Sequence, residues 1–187
     1  ILLASRPPSE VPAALDECPA DALKAHPFAL LVLMRSMFNW RNIPKMLELK
    51  ALLLAALEEH PELPAEERGN LLGECDLIMS FLCYNDISAM SRLHRSASAQ
   101  MSRPAISIRW TFGAPSVLMM FYRAPGELAG ELAEMAECMP HYYKITNGHG
   151  QGAETIMRAE AAFVQGRFTD AHIALESAYA QIEGHGQ

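Results

Sequence analysis

The sequence predicts an all-α fold, and three observations carry that expectation. The first is residue type: 28 Ala, 23 Leu, 17 Glu and 11 Met stand against 4 Val and 4 Thr in 187 residues. Ala and the straight-chain residues lose little freedom in a helix, whereas strands favour the β-branched residues that are scarce here. The second is punctuation. Prolines open many of the apolar segments, and a Pro in the first helical turn gives up no hydrogen bond. The third is recurrence, because the helical segments come in pairs along the chain.

The same totals exclude several function classes. A net charge of −7 does not suit a bare nucleic-acid binder, which needs a basic face to neutralise phosphates. Half of the residues are hydrophobic, enough for a sizeable core, so the chain is not disordered throughout. The longest apolar runs, 28–34 and 51–57, are far shorter than the roughly 20 residues that span a bilayer. Cys18, Cys75, Cys83 and Cys138 form no CxxC, and none has a His at zinc-ligand spacing. They are expected as buried free thiols. Residues 1–5 show no Met and no basic stretch leading into an apolar one. A piece of a longer cytoplasmic protein is expected.

The elements follow in order. Residues 1–26 carry Pro7, Pro8, Pro12 and Pro19 and read as a lead-in with one short helix near 12–17. Residues 27–187 read as the helical domain. Helix 27–38 breaks at 39–42, and helix 44–59 follows. Pro61 and Pro64 introduce a helix over 64–83. Asn85 and Asp86 offer caps for a helix running to about Ser98. The stretch 102–113 reads as irregular. Helices are then predicted over 115–123 and 125–139, the second with Glu127 in its first turn, where negative charge suits the helix dipole. Residues 140–152 read as a loop, and helices 152–165 and 169–182 form the last pair, split at Gly166.

In the second helix of each pair, apolar or small residues fall seven apart: Met46 and Leu53, Met90 and Ala97, Leu128 and Met135, Ala171 and Ala178. The first members of these pairs are separated by 44, 38 and 43 residues. A helix–turn–helix unit repeating at about 40 residues marks an α-solenoid, because one hairpin cannot bury its apolar face alone. Gly166, Ala171, Leu175 and Ala178 fit the turn and second helix of a tetratricopeptide-like unit, the Gly reversing the chain and the Ala residues admitting close packing. The expected architecture is a right-handed tetratricopeptide-like α-solenoid of about four hairpins. Met46, Leu53, Met90, Ala97, Gly166, Ala171, Leu175 and Ala178 are its packing positions.

Several stretches also resemble a known family as a set. They are His26-Pro-Phe-Ala-Leu-Leu-Val-Leu-Met, Arg68-Gly-Asn-Leu-Leu-Gly-Glu-Cys-Asp, Ser80-Phe-Leu-Cys-Tyr-Asn-Asp-Ile-Ser, Trp110-Thr-Phe-Gly, Glu137-Cys-Met-Pro-His-Tyr-Tyr-Lys and Ala159-Glu-Ala-Ala-Phe-Val-Gln-Gly-Arg-Phe. Together they resemble the helical-repeat region of LuxR-family transcriptional regulators of the MalT type, over about residues 27–183. The resemblance implies a sensor segment that binds an inducer or protein partner and relays its state to nucleotide- and DNA-binding modules outside this segment. The chain holds no GxxxxGK[ST] and no LuxR-type recognition helix, so ATP and DNA are not assigned to it. The stretch from Ser107 to Thr111 is shorter than the connection expected there in that family.

No catalytic constellation stands out, and no enzyme activity is expected. Ser80, Ser88 and Ser91 lack a GxSxG turn. His94 is expected as a packed or hydrogen-bonded core histidine. His141 and His149 lack further donors at metal spacing, so neither a metal nor a cofactor is expected. The Gly-rich stretch 148–152 follows no strand and reads as a loop entering a helix rather than a phosphate cradle. Glu127, Glu131, Glu134 and Glu137 read as a solvated helix face. For ligand binding the candidates are Trp110, Tyr122, Arg123, Tyr142 and Tyr143, which offer rigid aromatic area and a forked cation. The partner is expected to be a small inducer or a protein, with self-association open and no membrane involved. The alternative is a free-standing repeat adaptor that binds a peptide.

Overall fold

The computed structural model describes residues 7–107 and 116–183, and among them every regular element is a helix. In chain order these are α1 (Val11–Asp16), α2 (Ala20–Lys24), α3 (Pro27–Asn39), α4 (Ile43–Glu59), α5 (Ala65–Ser80), α6 (Ile87–Gln100), α7 (Val117–Phe121), α8 (Leu128–Thr146), α9 (Ala153–Val164) and α10 (Phe168–Glu183).

Local chemistry sets most boundaries. The Asn42 side chain accepts from the Lys45 N–H at 3.2 Å to start α4, and Asp86 accepts from the Ala89 N–H at 2.9 Å to start α6. Each satisfies a backbone donor that the helix cannot. Glu66 and Glu67 sit in the first turn of α5. At the end of α9, Gly166 takes φ +75°, its N–H bonds to the Phe163 carbonyl, and the Arg167 N–H bonds to that of Ala162. This Schellman arrangement reverses the chain into α10 and requires a left-handed residue, which Gly supplies without steric cost.

Helices α3 and α4, α5 and α6, and α9 and α10 pack as hairpins. The expected third hairpin does not form. α7 shrinks to five residues and packs on α9, while α8 lies along α6. α8 also runs past the predicted end at Met139 to Thr146, with Pro140 inside it. Pro140 and Ala136 are both exposed. The bond that Pro140 cannot make to residue 136 therefore falls on the solvent side of α8, where a missing bond is tolerated. Beyond the proline, buried Ile145 and Thr146 hold the last turns down, and Asn147 caps them at φ 55°.

The core has two clusters. The first unites Val11 and Leu15 with Leu30, Leu31, Met34 and Met37 of α3, Leu49 and Leu53 of α4, and Leu77 and Ile78 of α5. The lead-in is thus packed onto the helices that follow it. The second joins Ile87, Met90, Phe121, Met135, Cys138, Met139 and Met157. Tyr142 packs against both clusters.

Met46, Leu53, Met90, Ala97, Ala171 and Ala178 are buried. Leu175 is not: it shares their side of α10, yet half of its surface is exposed, because among the described residues no helix follows α10 to cover it. Glu131, expected on a solvated face, is also buried and accepts from the Arg123 N–H at 3.0 Å. All four cysteines are free, Cys75 and Cys138 buried, Cys18 and Cys83 partly so. Among the described residues no helix is long and apolar enough to cross a membrane.

Candidate functional site

A cavity of about 400 Å³ opens between the two core clusters. Six helices build it. α3 gives Arg35, Phe38 and Asn39, and the end of α5 gives Ser80 and Phe81. α6 gives Met90 and His94, α7 gives Val117, Met120 and Phe121, and α8 gives Met135, Met139 and Tyr142. The 147–152 turn and the start of α9 close the last side with His149, Gln151 and Ile156. The volume falls in the usual range for small-molecule sites, and so does the mix of an apolar wall with few polar groups.

Four of the polar lining groups, Ser80, His94, Tyr142 and His149, lie in two short chains. Ser80 donates its hydroxyl proton to the Leu77 carbonyl at 2.7 Å. It therefore accepts from Nε2–H of His94, 3.0 Å away, which leaves Nδ1 to accept from the Cys138 thiol at 3.1 Å. His94 is 2% exposed, and burial is the main reason its pKa falls to about 4. It is a neutral, fully bonded histidine. Burial also pushes the Cys138 thiol up to about 12. The second chain begins at Tyr142, whose ring lies 4.9 Å from that of His94 and whose hydroxyl meets Nδ1 of His149 at 2.9 Å. Burial raises the Tyr142 pKa and lowers that of His149, so the phenol donates to a neutral imidazole.

Arg35 stands at one end. Its guanidinium lies 4.9 Å from the Phe81 ring centroid and 5.6 Å from that of Phe38, and Nη1 donates to Asn39 Oδ1. Ring faces carry negative charge density, so both contacts attract the cation.

The sequence candidates do not converge on this cavity. Tyr142 is on its wall, on a helix and not in the predicted loop. Tyr143 points elsewhere: its hydroxyl donates to Glu154 and accepts from the Gly152 N–H at 3.0 Å, tying the 147–152 turn to α8. Tyr122 and Arg123 follow α7. Arg123 reaches Asp86 at 3.4 Å, Glu127 at 3.5 Å and Glu131 at 3.6 Å in a separate, shallow cleft. Trp110 lies outside the described residues. Arg35, Phe38, Phe81, His149 and the cavity methionines were not among the candidates. One signal could have found Arg35, since it is the lone charged residue in the thirteen of α3. Among the described residues no group of three His, Cys, Asp or Glu stands close enough to hold a metal ion.

No protein-family model matches the chain, and neither the curated proteins nor the solved structures contain a significant match to it.

Proposed function

We propose that this chain is the sensor segment of a LuxR-family, MalT-type regulator, a tetratricopeptide-like α-solenoid that binds a small inducer in the cavity between its two cores. The cavity carries the proposal. A ligand there touches α3 and α5 on one side and α7, α8 and α9 on the other, so it can favour one packing of the two halves over another. Such a ligand shifts the molecule by no more than its differential affinity for the two states. The set of family-like stretches and the three helical hairpins α3–α4, α5–α6 and α9–α10 support the same assignment. In this scheme the protein is cytoplasmic, and ATP and DNA are bound by modules beyond this segment.

Binding fits the cavity better than catalysis. Ser80 and His94 have the spacing of a nucleophile and its base, but the serine proton is given to Leu77 and the imidazole Nδ1 is occupied by Cys138. The thiol itself is held protonated. A base poised near neutral pH is missing from this cluster.

The test is retention of promoter DNA by the intact protein that carries this chain, across a metabolite set, in the wild type and in Met135→Trp, which fills the cavity. A metabolite that changes retention in the wild type alone supports the proposal. A response identical in both proteins, or no DNA retention at all, overturns it. The rival adaptor reading draws on the exposed Phe163, Phe168, Ile173 and Tyr179 of the last hairpin, and predicts peptide binding without DNA.

A further inference from the structure

The cavity wall specifies a ligand class, and this inference rests on the sensing role just proposed. Among the described residues that line it, Arg35 is the one Asp, Glu, Lys or Arg. The guanidinium keeps its charge throughout the physiological range. Its attraction for an anion grows as water is excluded, and only 9% of the Arg35 surface is exposed. Two rings and Asn39 already fix the plane of the fork. An arginine held this way gives up little freedom on meeting a planar carboxylate, whose two oxygens match its paired donors.

The rest of the wall asks for something different. Met90, Phe121, Met135 and Met139 line the far side, and unbranched thioethers adapt to varied apolar shapes. His94 is neutral there, with both ring nitrogens engaged. A sugar placed in this space would lose water from many hydroxyls, of which a mostly apolar wall can partner only a few, at a cost for each of the others. We propose that the cavity binds a small molecule with one carboxylate on an apolar body, the carboxylate at Arg35 and the body between the methionines and Phe121.

Titration calorimetry on the 187-residue chain at pH 7.5 tests this with octanoate and 4-phenylbutyrate, their amides, octylamine and a neutral trisaccharide. At least one acid should bind tenfold or more tighter than its amide, while octylamine and the trisaccharide give no heat of binding. Arg35→Met, shown folded by circular dichroism, should lower the acid to the level of the amide and leave the amide unchanged. Arg35→Lys should fall between. If Arg35→Met does not fold, the wild-type ranking of acid, amide and amine decides the matter, with Met135→Trp as the variant that removes all binding. Equal binding of acid and amide, an acid preference that survives Arg35→Met, or no binding by any acid overturns the inference. The two proposals fail separately. Acid binding without any effect on DNA retention keeps the ligand class and removes the regulator. DNA retention controlled through this cavity by a neutral sugar does the reverse.

Discussion

His94 determines how this molecule meets acid. Its neighbours are Ser80, the Cys138 thiol, the Tyr142 ring and, through charge, His141, and none of them favours a second proton on the ring. An unfolded chain takes up that proton near pH 6.5, whereas the folded one resists until about pH 4. The unfolded state therefore binds more protons in that window, and stability falls as pH falls through it. The full effect is about 3 kcal/mol, reached below pH 4. His149, also lowered by burial, adds to it with the same sign. Urea unfolding from pH 7.5 to 4.5 should show most of this loss in the wild type and a visibly shallower slope in His94→Gln. Carboxylates titrate in both proteins, so the difference between the two curves isolates His94. Parallel curves would remove the claim.

At the level of elements, α5 and α6 approach each other closely, and the approach depends on a residue that only a structure singles out. A Cβ on Gly69 would stand 2.6 Å from the Gln100 carbonyl oxygen, which is backbone and cannot rotate away. Gly69→Ala must push the two helices apart, and the expected loss is about 1–3 kcal/mol. Gly130, on α8, has open space where its Cβ would go, so Gly130→Ala should raise stability by about 0.5–1 kcal/mol. Thermal melts of the two variants should shift in opposite directions, and a shift of the same sign would refute the packing account. Three of the hairpins were legible in the sequence because their signals are local: the break at 39–42, Asn85 and Asp86 as caps, Gly166 as the reversal, apolar residues seven apart. Pro140 misled for an equally local reason. A proline ends most helices, and only burial of Ile145 and Thr146, set by distant packing, lets this one continue. The cavity was not legible either, because its wall is gathered from Arg35 through Ile156 and no short-range pattern joins them. Tyr142 and Tyr143 were both candidates for the rigid area of their rings, and Tyr143 faces a different partner.

For the whole molecule, the decisive question is how two cores behave as one. Chain-neighbour packing dominates, as in arrays whose units are stabilised by the next unit along. Such arrays unfold together only while the contacts between units are strong enough. Here the space between the clusters is partly empty, so few side chains span it, and Tyr142 is one that touches both. Removing only its hydroxyl, in Tyr142→Phe, costs the bond to His149 and about 1 kcal/mol, with unfolding still in one step. Tyr142→Ala also removes the ring, at a cost of about 2–4 kcal/mol, and enlarges the gap. Native-state hydrogen exchange should then separate the halves, with amides of α7, α8 and α9 opening at lower free energy than those of α3, α4 and α5. Protection lost evenly across all six helices would mean that the cores are coupled elsewhere. A ligand in the cavity should strengthen joint opening in the wild type, because saturation at about 100 times its dissociation constant adds roughly 2.7 kcal/mol to the folded state. A molecule that bridges the gap thereby supplies coupling that the side chains leave weak, which is the physical requirement for carrying a signal from one half to the other.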